Sequence, residues 1–90
     1  MTALRREVLI ENRRGLHARA SAKFVSVASD LPATIEVEKD GNRVCGTSIM
    51  GLMMLGAAMG DSITIHVDGE GADDAMERLV GLVESRFGED

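Results

Sequence analysis

Aromatic side chains are nearly missing from this chain of 90 residues, which contains two Phe and neither Trp nor Tyr. With few rings to stack on bases and a formal net charge of −5, the chain is poorly suited to binding nucleic acid. No apolar run approaches the roughly 20 residues of a membrane-spanning helix, and the amino terminus lacks the apolar stretch of a secretory signal. We therefore expect a cytoplasmic protein that contacts neither nucleic acid nor a membrane.

Cysteine and proline are equally scarce, with one of each. A lone Cys45 excludes an intramolecular disulfide, and no Cys/His cluster has the spacing of a zinc site, so we expect neither a metal nor a cofactor. We interpret Cys45 as a small, partly buried residue at the end of a strand. The length favours a single domain over residues 1–90, with one core and no large substrate cleft.

Positive charge is concentrated at the start of the chain. Residues 1–23 hold six Lys or Arg against two Asp or Glu, whereas residues 24–90 hold four against thirteen. In a chain that is acidic overall, such a basic segment is suited to an acidic protein or to a phosphoryl group. A merely solvated basic face would give the same composition and remains open.

Hydrophobic periodicity predicts seven elements in the order β-α-β-β-α-β-α. A first strand ends near Glu11–Asn12, although Arg6 falls on its inward register. A helix follows over about residues 17–29 because the apolar spacing becomes helical there, and Pro32 bars its continuation. Two strands then flank Asp40-Gly41, a typical pair for a two-residue hairpin turn.

The second half of the chain predicts a short helix, a strand and a long helix. Thr47-Ser48 offers the hydroxyl groups of an N-cap, and glycines restrict the helix after it to about two turns. Residues 63–67 alternate as a fourth strand. The last helix is predicted to begin at Ala72, with Arg86 in its last turn, Phe87 on its buried stripe and a glycine stop after it.

Together these elements indicate the α+β class: a four-stranded antiparallel sheet with one open face and three helices on the other. The open face is predicted to be polar, and we interpret His66 as a solvated residue of that face. The side chains expected there are Thr34, Glu36, Glu38, Thr64 and His66.

The segment most suggestive of chemistry lies where the first strand ends and the first helix begins. Gly15 turns the chain, His17 stands at or next to the N-cap, and Arg19 follows two residues later. A helix start presents unpaired N–H groups and a positive dipole end, which stabilise an anion and disfavour an imidazolium. A ring nitrogen is thereby left to act as a nucleophile, and the Arg19 guanidinium can bond phosphate oxygens. We predict a phosphoryl acceptor at His17; an ordinary helix-start histidine is the alternative.

The residues Gly15-Leu16-His17-Ala18-Arg19 resemble the active-site signature of the HPr family of histidine-containing phosphocarriers, including its nitrogen-system relatives. The segment 47–55 resembles the regulatory-serine segment of that family, and Gly60-Asp61-Ser62-Ile63 resembles the entry to its last strand. The resemblance covers essentially the whole chain. It implies the open-faced sandwich of that family, which has the same element order as our pattern analysis.

By this resemblance the chain is a monomeric, stoichiometric carrier of the phosphoenolpyruvate-dependent phosphotransferase system, not an enzyme. His17 would accept a phosphoryl group on Nδ1 from phosphorylated enzyme I and donate it to a histidine of an enzyme IIA protein, with Arg19 contacting the phosphoryl group. The family commonly has proline where this chain has Ala20. Since proline fixes φ in the first helical turn, we expect its loss to loosen the helix start by up to about 1 kcal/mol.

Ser48 matches the serine of the family that HPr kinase/phosphorylase modifies, so the resemblance implies regulation at Ser48 and that kinase as a further partner. Flexible thioethers suit a surface that fits several partners in turn, although methionines can also fill gaps in a ring-poor core. The partner-binding face that we predict comprises Ala20, Lys23, Ile49, Met50, Met53 and Met54.

Other classes of function remain open. A regulatory module of the same fold could bind partners through the methionine-rich helix and be switched at Ser48 alone, but retention of His17 argues against it. A ferredoxin-like ligand-sensing or RNA-binding domain predicts a terminal strand and rings on a sheet face, neither of which this sequence indicates. A Ser-His hydrolase is disfavoured because no third group to orient the base is evident near Ser21. The sugar and nitrogen branches of the phosphotransferase system both remain candidates.

Overall fold

The strands and helices follow one another in the predicted order. The computed structural model describes residues 3–89. Its elements are strand β1 (Ala3–Leu9), helix α1 (Ala18–Ser29), strands β2 (Thr34–Lys39) and β3 (Asn42–Cys45), helix α2 (Ile49–Met54), strand β4 (Ser62–Asp68), helix α3 (Ala72–Glu84) and a 3-10 turn (Arg86–Gly88).

The four strands form one antiparallel sheet in the spatial order β1-β4-β2-β3. On one face, alternate residues such as Val8, Val37 and Ile65 are buried in the core, as a half-buried strand requires. The helices pack on that face, with α3 against β1 and β4 and α1 against α2 and α3. The predicted α+β open-faced sandwich is therefore confirmed.

Local signals set the boundaries of several elements. Asp40 and Gly41 both have positive φ, at 51° and 82°, which is the type I′ geometry that joins β2 to β3 in register. Helix α1 ends at Ser29, three residues before Pro32, and buries the stripe of Ala20, Phe24 and Ala28. Within residues 3–89, no helix combines the length and apolarity needed to cross a membrane.

The end of α3 differs from the prediction. The helix stops at Glu84, so Arg86 does not lie in its last turn and Phe87 does not belong to its buried stripe. Arg86 and Phe87 instead have left-handed φ values of 60° and 53°. This reversal turns the chain back over the core, where the Phe87 ring is fully buried.

Two side chains near the open sheet face also differ from the prediction. His66 is not solvated: its side chain is 15% exposed, and Nε2 lies 2.7 Å from Glu38 Oε1 on the neighbouring strand, because both residues project from the same face of adjacent strands. Cys45 is exposed instead of partly buried, since it ends an edge strand whose one partner among the described strands is β2. A hydrogen bond with the Thr47 hydroxyl lowers the pKa of the Cys45 thiol.

Candidate functional site

The turn before α1 is built on a close approach between two segments. The Leu16 N–H donates to the Ala57 carbonyl at 2.9 Å, which ties the turn to the segment that follows α2. Gly15 has a φ of +61°, and a Cβ at this position would lie 2.2 Å from the same Ala57 oxygen. Only glycine fits both the left-handed backbone and the contact, so the geometry of the turn requires the glycine of the motif.

His17 is the N-cap residue of α1, as the sequence predicted. Its backbone is extended, with φ −75° and ψ −179°, and its side chain makes no capping hydrogen bond. The imidazole, with 21% of the side chain exposed, therefore lies at the positive end of a 12-residue helix without consuming the N–H groups of its first turn. Such an end stabilises an anion.

A carboxylate from the far end of the chain contacts the imidazole. His17 Nε2 lies 2.7 Å from Glu89 Oε2, and the two residues are 72 positions apart in sequence. Asn12 holds the other carboxylate oxygen, because its Nδ2 donates to Glu89 Oε1 at 3.1 Å and to the Gly15 carbonyl at 2.8 Å. One buried amide thus links the turn, the carboxylate and the ring.

The 3-10 turn after α3 brings Glu89 to this position. The buried Phe87 ring anchors the turn in the core, and the Lys23 ammonium donates to the Phe87 carbonyl at 2.7 Å. The Glu89 N–H closes the turn on the Arg86 carbonyl at 2.8 Å. Glu89 is therefore positioned by a packed structure and not by an extended tail.

The Glu89 carboxylate is ionised at neutral pH. Burial raises its pKa, but hydrogen bonds from Asn12 and His17, with the positive charge of Arg19, outweigh burial and hold the pKa below the usual range of a glutamate. A carboxyl with a lowered pKa stabilises the fold above that range, and the contribution is lost as the group is protonated in acid. The contact with His17 accordingly persists at neutral pH.

An open cavity of about 290 Å³ lies beside the imidazole. Its lining residues carry three guanidinium groups and, within the described range, a single carboxylate, that of Glu89. The lining residues are Arg13, Arg14, His17, Arg19 and Glu89. The surroundings of the ring are thus arranged for an anion.

A larger cavity, of about 570 Å³, lies on the open sheet face and does not include His17. Its lining mixes both signs of charge, with Lys39 bonded to Asp40 and lying 3.8 Å from Asp61. Cations and carboxylates stand side by side in this lining, and the candidate nucleophile lies outside it, so we take the smaller cavity as the site of chemistry.

The predicted site residues of α1 have different environments. Arg19 is exposed and lines the cavity with His17. Ala20 is fully buried, which corrects its assignment to the partner-binding face, because the apolar stripe of α1 turns it into the core. The Lys23 ammonium is bonded to the Phe87 carbonyl, so this side chain supports the turn that carries Glu89. Ser21 is also buried, and its hydroxyl donates to the Leu16 carbonyl instead of facing His17.

Helix α2 matches its predicted local structure. Ser48 is the N-cap residue of α2, and its hydroxyl oxygen accepts a hydrogen bond from the Gly51 N–H at 3.0 Å, as the spacing predicted. The remaining predicted residues form an exposed apolar patch, which we call the α2 face: Ile49 (41% exposed), Met50 (71%), Met53 (41%) and Met54 (81%).

Asn12 and Glu89 belong to the site but were not predicted from the sequence. Asn12 had a signal: it continues the alternation Val8, Ile10, Asn12 and is buried like the other two, and a buried polar group next to a motif needs partners. Glu89 had none, because its position depends on the left-handed turn at Arg86 and Phe87.

Comparisons with known proteins agree on one family. The family model "PTS HPr component phosphorylation site" matches residues 4–85. The chain is 42% identical to a phosphocarrier protein HPr of Cupriavidus necator over 96% of this chain and 97% of the relative. It is 39% identical to a phosphocarrier protein NPr of Shewanella violacea over 99% and 98% of the two chains.

Solved structures give the same result. A crystal structure of HPr from Thermoanaerobacter tengcongensis superposes with a TM-score of 0.90 at 41% identity, covering 100% of this chain and 99% of that one. HPr from Bacillus anthracis gives a TM-score of 0.87 at 38% identity, covering 92% of this chain and 99% of that one. Motif, fold and full-length similarity coincide, and the chain belongs to the HPr family of phosphocarrier proteins.

Proposed function

We propose that this protein accepts a phosphoryl group on His17 Nδ1 from phosphorylated enzyme I and donates it to a histidine of an enzyme IIA protein. The observation that carries the proposal is the setting of the imidazole. His17 caps a helix start, its Nε2 is engaged by Glu89, and three arginines line the cavity beside it. Since Nε2 is engaged, Nδ1 is the ring nitrogen that can attack the phosphorus atom.

Both transfers need little more than positioning and charge stabilisation. The Nδ1 lone pair forms a bond to phosphorus while the bond from phosphorus to the donor nitrogen breaks, and the donor nitrogen keeps that electron pair. A nitrogen leaves in each direction, so no general acid is required for a poor leaving group. In this proposal the first-turn N–H groups and the Arg19 guanidinium stabilise the charge on the phosphoryl oxygens.

We further propose that phosphorylation of Ser48 regulates docking on the α2 face. Ser48 caps α2 and adjoins Ile49 and Met50 in the chain. A phosphate at this position adds about two negative charges beside a surface that otherwise offers apolar contact, and it can bond the free N–H groups at the helix start. Phosphorylation of Ser48 should therefore change the docking of partners on the α2 face more than it changes the stability of the helix.

Incubation with enzyme I and phosphoenolpyruvate, followed by intact mass, tests the carrier proposal. We expect one acid-labile phosphoryl group in the wild type and none in His17→Ala. His66→Ala is the matched control, because it removes the other of the two histidines and should leave labelling unchanged. An acid-stable adduct, or labelling that persists in His17→Ala, contradicts the proposal and leaves a regulatory module switched at Ser48 as the better reading.

A further inference from the structure

We propose that Glu89 is a positioning residue for phosphoryl transfer: it keeps the proton of the His17 ring on Nε2 and balances the positive charge that the ring acquires when Nδ1 binds phosphorus. The inference rests on the proposed carrier function and deepens it. The four links that carry it are the contacts from Glu89 to His17, from Asn12 to Glu89, from Asn12 to Gly15 and from Lys23 to Phe87.

The contact fixes the proton because an ionised carboxylate offers acceptors only. A separation of 2.7 Å between Nε2 and Oε2 is therefore a hydrogen bond that Nε2 donates. The Asn12 side chain admits one orientation here, since both of its Nδ2 partners are oxygen acceptors. With Nε2 protonated, a neutral His17 has its lone pair on Nδ1, where the phosphoryl group must bind.

The same hydrogen bond assists the chemical step. When the Nδ1 lone pair forms the bond to phosphorus, the ring changes from neutral imidazole to imidazolium, with one substituent on each nitrogen. The Glu89 carboxylate then faces a positive ring, and their attraction strengthens as the bond forms. When the phosphoryl group departs, the electron pair of the P–N bond returns to Nδ1. No proton has to move in either direction.

Among the described residues that line the cavity, Glu89 is the one whose charge can balance a positive imidazole ring. Three arginines line the cavity and oppose a cationic ring, as does the helix start that His17 caps. Glu89 is the one anion among the described lining residues. Without it, the groups that attract the phosphoryl oxygens would also disfavour the phosphorylated imidazolium.

The fold accepts unfavourable features to place this carboxylate. Arg86 and Phe87 hold left-handed backbone conformations that bulky side chains rarely adopt. Asn12 is fully buried, and its Oδ1 has no hydrogen-bond partner among the described residues. The left-handed turn therefore serves two ends: it buries the Phe87 ring and brings the Glu89 carboxylate to His17.

Nitrogen-15 NMR of His17 tests the tautomer directly, at a pH where the ring is neutral. We expect wild type to show one tautomer, protonated on Nε2, and Glu89→Ala to show a mixture of both. Glu84→Ala is the matched control, because it removes a carboxylate from an exposed position at the end of α3 and should match wild type. Melting temperatures of the two variants establish that both are folded.

Transfer kinetics test the chemical role. With increasing enzyme I, we expect Glu89→Ala to lower the maximal rate of phosphoryl uptake about tenfold, as loss of a partner that orients a histidine typically does, and to leave the half-saturating concentration within twofold. Glu89→Gln, which keeps the length but not the charge, should show most of this loss. Glu84→Ala should transfer like wild type.

The inference is overturned if Glu89→Ala keeps a single Nε2-protonated tautomer, or if it transfers within twofold of Glu84→Ala. It is also overturned if the loss lies in half-saturation alone, which would make Glu89 a docking residue. Failure of the carrier function looks different: wild type itself would then take up no phosphate, while the NMR result would still show whether Glu89 fixes the ring.

Discussion

At the scale of single residues, the site divides its charges between two tasks. The guanidinium groups of Arg13, Arg14 and Arg19 line the cavity, whereas the Glu89 carboxylate contacts the ring itself. Cations suit the transferred anion, and the carboxylate suits the group that receives it. In the proposed transfer, charges of both signs around one histidine would therefore have complementary roles.

Arg19→Ala should slow phosphoryl transfer much more than it weakens docking of enzyme I. Arg19 lies in the first turn of α1, and in the proposed transfer its guanidinium contacts the oxygens of the moving group, so we expect a loss of about 100-fold in the maximal rate. Arg19→Lys should recover part of this loss, because an ammonium restores the charge but not the fork of donors. Rapid-quench kinetics measure transfer and calorimetry measures docking; equal losses in both would make Arg19 a docking residue only.

A site residue can be predicted from sequence when neighbouring residues determine its position, and cannot be when distant parts of the chain do. His17 and Ser48 were predictable as N-caps, because a cap is set by its immediate neighbours. Ala20 was misassigned, because its match to a family position says nothing about which face of α1 it occupies. Glu89 was beyond reach, because contacts 72 residues apart follow from the packed fold.

At the scale of elements, the turn after α3 departs most from the sequence-based prediction. The apolar spacing continues to Phe87, so the sequence fits a helix that runs to this residue. The backbone instead becomes left-handed at Arg86, and the Phe87 ring is buried from a turn and not from a helix. By contrast, α2 was predictable in length because glycine disfavours helix. Periodicity identifies which residues are buried more reliably than it identifies the backbone that buries them.

Phe87→Ala should therefore destabilise the protein and disturb the site together. Removing a fully buried ring is expected to cost about 3–5 kcal/mol in the free energy of unfolding, measured by urea denaturation at neutral pH. Because the same turn carries Glu89, uptake of phosphate should also slow. Phe87→Leu should cost less than half as much, and a cost below about 1 kcal/mol for Phe87→Ala would show that the turn is not anchored by the ring.

Ser48→Asp should separate the structural role of the α2 cap from its regulatory role. Aspartate caps a helix about as well as serine, so the melting temperature should stay near that of wild type. The added charge opposes an acidic partner, so uptake from enzyme I should slow at low salt and recover partly as ionic strength rises. Thr34→Asp, which adds the same charge on the exposed end of β2, should behave like wild type. If Ser48→Asp transfers at the wild-type rate at every salt concentration, Ser48 is a helix cap only.

At the scale of the whole molecule, the open sheet face carries charges of both signs, whereas the end that holds His17 is mainly positive. On the open face, His66 pairs with Glu38 and Arg43 pairs with Glu36, so cations and carboxylates are mixed there. At the end that carries His17, Arg13 and Arg14 are exposed on the turn before α1. A chain with a net charge of −5 thus brings three of its arginines, Arg13, Arg14 and Arg19, around one cavity.

This asymmetry should govern how fast an acidic partner associates. Replacing Arg13 and Arg14 together by Glu reverses the charge beside the site, so we expect the association rate with enzyme I to fall about tenfold or more at low ionic strength, with a smaller change in dissociation. Replacing Arg43 and Arg78 by Glu makes the same change in net charge on exposed positions whose ion pairs, to Glu36 and Asp74, contribute little to stability.

Stopped-flow association across a salt series distinguishes the two double variants. If steering depends on where the charge lies, the variant at positions 13 and 14 is slow at low salt and converges with wild type as the Debye length shrinks. The variant at positions 43 and 78 should associate nearly as fast as wild type throughout. Equal slowing of both variants would mean that net charge alone sets the rate, and the basic turn would then be a solvated surface with no part in docking.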